Sequence, residues 1–405
     1  MLRNILPIVV GYLLGSILPA YFFGRIIKGI DIREVGTKNA GTTNVRRQLG
    51  ILPAIPTAIY DTLKGIISII IAERIFNVSP FIAYLSGFAS VLGHIFPWYL
   101  HFRGGQGAAT LTGILLFNLY QIFINKRTFF PIWDLVILLI TVLFVFFITK
   151  TQEVLSIIVL PLFSYLLILR GGLNWTTFTT LLINLYLLII AIVNIIRFQL
   201  IKIDKALYSQ FPFWRTFIRP AGFSFVLFSF FLPKKTLLLL IGATLFLFFL
   251  FDLIRILHER VDRFFVRDMK RLFILLKEKE ARRVSSMTIF LLGSFLTFLL
   301  FENRIAVFAI SFLIFGDFFA KIFGLAYGRH KFFNKTMEGT FAHFLGSLLF
   351  GYLLFTSGVA LPIGLIFLGA GIGTLVELLP LNVDDNLSVP LLSGSILFLT
   401  LQFLK

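Results

Sequence analysis

Long apolar runs, separated by short polar loops, dominate this chain. Each run in the first half has about the 17–22 residues that a helix needs to cross a bilayer. They lie near 5–24, 52–72, 80–100, 108–124, 132–149, 154–170 and 179–197. Further runs follow near 221–233, 236–257, 286–301, 305–325, 339–356, 360–379 and 389–404. The run 221–233 is short for a span and is compatible with a re-entrant segment. The pattern predicts an all-α, polytopic integral membrane protein with about 13–14 transmembrane helices.

Charge and proline interrupt this pattern near the middle of the chain, which predicts two helical domains. We place them at residues 1–200 and 220–405, joined by a cytoplasmic linker at 201–219. Residues 258–285 carry nine Lys or Arg and five Asp or Glu, and their apolar residues recur at helical spacing. That segment is predicted to be an amphipathic helix at the membrane interface. The two halves share no repeat, which favours a fusion over a duplication.

Composition indicates the class of protein and its orientation in the membrane. Hydrophobic residues make up 58% of the chain and charged residues 14%, against about a quarter charged in soluble domains. The absence of cysteine excludes disulfides and thiolate metal sites. The net charge of +18 is concentrated in loops, because 25–51 alone holds six Lys and Arg while 171–178 holds none. We therefore predict a multi-pass protein of the inner, cytoplasmic membrane with its polar loops cytoplasmic, and no nucleic-acid partner. The first run lacks a cleavage site and is predicted to span rather than to be removed.

Three polar islands stand among the apolar runs of the first domain. They are 35–50 (VGTKNAGTTNVRRQLG), 61–65 (DTLKG) and 93–110 (GHIFPWYLHFRGGQGAAT). Polar backbone at membrane depth persists only beside protein or water, so such islands indicate a functional site. Glycines let backbone N–H groups turn toward an anion, and arginine adds a positive charge, so these islands suit a phosphate-binding site. Two alternatives stay open: a glycine-rich turn between helices, and an Asp61–Lys64 pair at i,i+3 that only neutralises itself.

The order and spacing of these islands, with 15–25 (GSILPAYFFGR), resemble the bacterial acyl-phosphate:glycerol-3-phosphate acyltransferases over about residues 1–200. The resemblance implies a seven-helix membrane enzyme that needs no cofactor. Its substrates are acyl phosphate and glycerol 3-phosphate, and its product is lysophosphatidate. The matching positions imply catalytic roles for Thr37, Asn39 and His94. They imply substrate binding by Ser16, Arg25, Lys38, Gly41, Thr43, Asn44, Arg46, Asp61, Lys64, Gly65, Arg103, Gly104, Gly105, Gln106 and Gly107.

Gln106 is the main departure from the family pattern, which has lysine there. A neutral amide cannot replace a charge-assisted phosphate contact at full strength. Lys38, which replaces a usual glycine, is a hypothetical source of the missing charge. His94 is a candidate base for the glycerol hydroxyl, with a phosphate oxygen of the substrate as its rival and a helix-end histidine bonded to a carbonyl as the structural alternative.

The second domain has its own polar islands, at 275–296, 316–340 and 376–390. Basic residues beside glycines suggest a phosphate chain, and nearby carboxylates offer the hard oxygen ligands that Mg²⁺ prefers. The pattern resembles the membrane family of dolichol kinase, CTP-dependent diacylglycerol kinase and related cytidylyltransferases over about 260–405. It implies CTP and Mg²⁺, with a membrane lipid as acceptor. Nucleotide binding falls on Asp317, Lys321, Gly324, Gly328, Arg329, Lys335, Thr336 and Glu338, and metal binding on Asp317 and Asp385.

Two other classes remain open at this point. One is a degenerate acyltransferase domain, weakened by Gln106, that leaves only the carboxy-terminal activity. The other is a membrane lipid transporter, which would show discontinuous helices in related halves. The sequence does not choose between kinase and cytidylyltransferase, and it leaves the oligomeric state open.

Overall fold

The computed structural model describes residues 2–126, 130–172, 174–200, 222–264 and 283–404. The chain divides into two compact units, Met1–Leu200 and Ile201–Lys405. The described residues of each unit are mostly helical. The predicted linker 201–219 and most of the predicted amphipathic helix, 265–282, lie outside the described residues.

The first unit is a bundle of long helices with a short amphipathic helix, α3, packed against α2 and α4. Its elements are α1 (Leu2–Ser16), α2 (Pro19–Lys28), α3 (Thr42–Leu49), α4 (Ile51–Arg74), α5 (Pro80–Ile95), a 3₁₀ turn (Trp98–Leu100), α6 (Ala108–Lys126), α7 (Ile132–Thr149), α8 (Gln152–Gly171) and α9 (Trp175–Phe198).

Glycine lets α1 approach α5 at backbone distance. A Cβ at Gly11 would overlap the backbone oxygen of Ser86, and one at Gly15 would overlap that of Ser90. Small residues permit such close packing where lipid supplies no hydrophobic drive between helices. The approach brings the end of α1, at Gly15, beside the last turn of α5.

A buried polar network joins three helices of the same bundle. The hydroxyl of Tyr84 on α5 donates to Asn118 Oδ1 on α6 at 2.6 Å, and Asn118 Nδ2 donates to the hydroxyls of Thr179 and Thr180 on α9. Hydrogen bonds of this kind between transmembrane helices contribute about 0.6 kcal/mol on average. They fix the register of α9 against the helices that carry the site.

The second unit contains a second bundle and a short hairpin. Its elements are α10 (Phe223–Phe228), α11 (Lys234–Leu257), α12 (Glu259–Arg263), α13 (Ser286–Leu300), α14 (Asn303–Tyr327), β1 (Lys331–Phe332), β2 (Lys335–Thr336), α15 (Met337–Thr356), α16 (Ile363–Leu378) and α17 (Asp385–Phe403). The strands pair antiparallel, with Lys331 opposite Thr336.

The predicted all-α membrane fold is confirmed. Among the described residues, ten helical segments are long and apolar enough to cross a membrane, and three shorter apolar helices accompany them: Ala108–Ile122, Ser286–Leu300 and Ile363–Leu378. The run 221–233 is not a span, because α10 has six residues and Pro233 precedes α11. The predicted helix 80–100 ends at Ile95, where Phe96 and Pro97 divert the chain.

Candidate functional site

A buried ionic cluster lies where α4 meets the last turn of α5. Lys64 Nζ lies 2.8 Å from Asp61 Oδ1 and 2.7 Å from His94 Nδ1. All three residues are buried: Lys64 is 0% exposed, Asp61 1% and His94 3%. Lys64 also donates to the Gly15 carbonyl at 3.0 Å, at the end of α1. The expected i,i+3 pair therefore forms, and His94 completes it rather than bonding a carbonyl.

The lysine determines which nitrogen of His94 carries the proton. Paired with Asp61, Lys64 is an ammonium group that has only donors, so at 2.7 Å the His94 Nδ1 accepts from it; Asp61 Oδ1, at 3.4 Å from Nδ1, is the more distant partner. The proton of the neutral imidazole is therefore on Nε2. That nitrogen lies against Gly105, where a Cβ would overlap it. His94 thus offers an N–H donor, and its basic lone pair is already in use, which disfavours the predicted role as a general base.

The first polar loop is shaped by Asn44. Its Oδ1 accepts from the Thr37 N–H at 3.0 Å, and its Nδ2 contacts three carbonyls, those of Ile32, Val35 and Asn39. Asn44 is buried. Its polar side-chain atoms bond to the loop backbone, which gives Asn44 a structural role; its role in substrate binding stays a prediction.

Arg33, which the sequence analysis did not single out, joins the first loop to the third. Its guanidinium pairs with Asp31 at 2.7 Å and donates to the carbonyls of Leu100 and Arg103 at 3.0 and 2.6 Å. Hydrogen bonding from Arg33 holds the pKa of Asp31 below its ordinary value. Arg25, predicted to bind substrate, lies 3.4 Å from the same carboxylate. Only the structure reveals the role of Arg33, because its partners are distant backbone carbonyls.

The two loops and the ionic cluster face a cavity of about 470 Å³. Seven predicted site residues line it: Asn39, Gly41, Thr43, Asp61, His94, Gln106 and Gly107. Residues of α3, α6, α8 and α9 that were not among the predicted site residues complete the wall: Thr42, Ala108, Ala109, Thr112, Leu115, Gln152, Glu153, Ser156, Leu160, Leu187, Ile190, Ala191 and Asn194. The cavity therefore combines hydroxyls, amides and two carboxylates with an apolar flank.

The other predicted residues do not line this cavity: Ser16, Arg25, Thr37, Lys38, Asn44, Arg46, Lys64, Gly65, Arg103, Gly104 and Gly105. Lys38, Arg46 and Arg103 are exposed, so the structure does not bring Lys38 to the wall as a substitute charge. The N–H groups of Gly104 and Gly105 donate to the carbonyls of Ile95 and His94. They satisfy the end of α5 instead of facing an anion.

Gln106 is held by α9. Its Nε2 donates to Asn194 Oδ1 at 2.9 Å, and its backbone carbonyl accepts from the Tyr186 hydroxyl at 3.1 Å. The amide pair takes the place that the family pattern gives to a lysine. As a result, none of the described residues lining the cavity is Lys or Arg.

The second unit contains a separate cavity of about 740 Å³. Predicted residues on its wall are Asp317, Lys321, Gly324, Lys335, Thr336 and Asp385. Lys321 pairs with Asp317 at 2.6 Å, and Lys335 bridges Glu377 and Asp385 at 2.6 and 3.0 Å. Its polar islands, far apart in sequence, thus converge on one pocket.

Three predicted residues are not on that wall. Gly328 and Arg329 precede the hairpin, and Glu338 follows it in the first turn of α15. The Glu338 carboxylate accepts from the backbone N–H of Arg329 and contacts the His330 ring at 2.7 Å. In the described part of the chain no three His, Asp or Glu side chains are grouped to hold a metal. Mg²⁺ at Asp317 and Asp385 stays a prediction.

Comparison with known proteins concerns the first unit. Residues 5–200 match the family model described as glycerol-3-phosphate acyltransferase. The glycerol-3-phosphate acyltransferase of Shouchella clausii is 44% identical over 112 residues, which are 27% of this chain and 55% of that protein. That of Aquifex aeolicus is 39% identical over 117 residues, 28% of this chain and 59% of that protein. The chain thus spans little more than half the length of these relatives.

A solved structure is also similar. The crystal structure of PlsY (YgiH), an integral membrane glycerol 3-phosphate acyltransferase in its glycerol 3-phosphate form, is 27% identical and covers 48% of this chain and 92% of that one, with a TM-score of 0.38. The family-model match covers residues 5–200, so the first unit is similar to glycerol-3-phosphate acyltransferases over almost its whole length.

Proposed function

We propose that the first domain transfers an acyl group from acyl phosphate to the first hydroxyl of glycerol 3-phosphate, giving lysophosphatidate. The observation that carries this proposal is the convergence of all three polar islands on one cavity, through Asn39, Asp61, His94 and Gln106. The apolar flank, with Leu160 and Leu187, suits an acyl chain. We place the enzyme in the cytoplasmic membrane with this cavity open to the cytoplasm, because the most basic loop adjoins it.

The reaction requires little covalent help from the protein. The glycerol oxygen attacks the acyl carbonyl carbon, the carbon–oxygen bond to phosphate breaks, and phosphate leaves. The hydroxyl proton passes to a phosphate oxygen, since the lone pair of His94 is engaged by Lys64. The Nε2–H of His94 stabilises the negative charge that develops on the carbonyl oxygen.

The donor class is tested with the full chain in vesicles. Palmitoyl phosphate and palmitoyl-CoA are supplied separately, each with labelled glycerol 3-phosphate. We expect labelled lysophosphatidate from the acyl phosphate and none from the thioester. Product from the thioester alone would contradict the proposed donor.

Restoring a cation at position 106 provides a prediction. Gln106→Lys should lower the KM for glycerol 3-phosphate about tenfold, because it would add a charge-assisted contact to phosphate at a wall whose described residues include no Lys or Arg. Gln152→Lys, on the same wall, is the matched control for added charge. An unchanged KM in the first variant would mean that the phosphate does not approach position 106.

We also propose a CTP-dependent transfer of a phosphoryl or cytidylyl group to a membrane lipid in the second domain. The supporting observation is the convergence of Asp317, Lys321, Lys335 and Asp385 on its cavity. Lysines suit a phosphate chain. The two carboxylates are hard oxygen donors that would hold Mg²⁺, and the metal would neutralise phosphate charge.

This second activity is tested by supplying CTP or ATP with diacylglycerol, polyprenol or phosphatidate. We expect a product with CTP that Lys335→Ala abolishes and that Lys331→Ala, an exposed change in the same hairpin, does not affect. No CTP-dependent product with any of the three lipids would contradict the proposal.

A further inference from the structure

A phosphate site needs positive charge, but the described residues lining the first cavity include no Lys or Arg. Among the described lining residues, the ionisable ones are Asp61, His94 and Glu153. Asp61 is compensated by Lys64 at 2.8 Å, directly behind the wall. His94 is neutral in the arrangement derived above. Among the described lining residues, this leaves one charge without a described ion-pair partner, the carboxylate of Glu153.

Glu153 lies in the first turn of α8, where it is partly buried. No described residue forms a hydrogen bond or ion pair with its carboxylate. The amino terminus of a helix is a favourable place for a negatively charged side chain. Glu153 therefore holds a negative charge at the cavity wall.

A negative wall repels the phosphate of an acceptor, and no lining cation offsets that repulsion. The remaining polar side chains on the described wall are neutral, and Asn39, Thr43, Gln106 and Asn194 are among them. Amides, hydroxyls and a carboxylate are hydrogen-bond partners for the hydroxyl groups of an uncharged polyol. The interior suits the polyol end of an acceptor better than its phosphate.

We propose that Glu153 determines acceptor selectivity: it binds the hydroxyl groups of the acceptor and keeps negative charge out of the interior, so that this domain also acylates uncharged polyols such as glycerol. The inference rests on the proposed acyl transfer. The carboxylate of Glu153 accepts a hydrogen bond from the hydroxyl that does not react. The phosphate of glycerol 3-phosphate then lies at the mouth.

The test compares kcat/KM for glycerol 3-phosphate and for glycerol in vesicles containing the full chain and palmitoyl phosphate. Glu153→Gln should raise the ratio of the two values about tenfold in favour of glycerol 3-phosphate. Glu153→Asp, which keeps the charge, should remain near the parent ratio. Glu73→Gln, the same change at the far end of α4, should leave the ratio unchanged.

The outcomes separate the two proposals. If the parent chain acylates glycerol 3-phosphate but Glu153→Gln has the parent ratio, or if glycerol is not acylated at all, the selectivity inference is overturned and the proposed function stands. If the parent chain acylates neither acceptor, the proposed function fails and the selectivity inference fails with it.

Discussion

Replacing His94 with alanine should lower kcat of the acyl transfer about 10²–10³-fold, the usual effect of removing one donor that stabilises an oxyanion. The KM for glycerol 3-phosphate should change little, because the lost hydrogen bond forms with the acyl carbonyl in the transition state. The measurement is steady-state kinetics with acyl phosphate. His101→Asn is the matched control, since that exposed histidine does not line the cavity.

A second substitution at His94 distinguishes a role as hydrogen-bond donor from a role as general base. His94→Gln keeps a side-chain N–H donor but has no basic nitrogen. If His94 donates, the glutamine variant should recover about tenfold or more of the activity that alanine loses, because a weakened donor still stabilises the oxyanion. Equal loss in both variants would support a base, and near-parent turnover in both would show that His94 acts only in packing.

Replacing Lys64 with methionine should destabilise the first domain by about 3–5 kcal/mol, because the Asp61 carboxylate would stay buried without its ionic partner. Activity should fall as well, since Nδ1 of His94 would lose the donor that places its proton on Nε2. Thermal unfolding of the protein in detergent and acyl-transfer assays measure the two effects.

The double variant Asp61→Asn, Lys64→Met separates the effect on stability from the effect on activity. Removing both charges leaves no unpaired buried ion, so most of the lost stability should return while the activity does not. Arg103→Met is the surface control, because the Arg103–Glu34 pair is 71% and 57% exposed at its two side chains and such pairs contribute about 0–1 kcal/mol. A single Lys64 variant as stable as the surface control would contradict the buried ion pair.

The membrane-spanning pattern could be predicted from the sequence because helix length and hydropathy are local properties. Segments too short to span were harder. The run 221–233 has the apolar composition of a helix, but its helix stops at Phe228 and Pro233 caps the start of the next helix, at Lys234. Likewise, Pro97 was visible in the sequence, but the end of α5 at Ile95 was not.

The sequence predicted which polar islands form the site, but not which hydrogen bonds their individual atoms make. Glycine N–H groups at 104 and 105 could serve an anion or a helix end, and only the fold shows that they bond the carbonyls of α5. Asn194 and Glu153 belong to helices without a motif. They reach the cavity through packing of α8 and α9, which no local pattern encodes.

The most direct test of the central claim is the formation of lysophosphatidate itself. The purified full chain, reconstituted in vesicles, is given palmitoyl phosphate and labelled glycerol 3-phosphate, with the His94→Ala variant assayed in parallel. The account predicts labelled lysophosphatidate from the parent chain and a rate at least about 100-fold lower from the variant. No labelled product from the parent chain, or equal rates from the two, would contradict it.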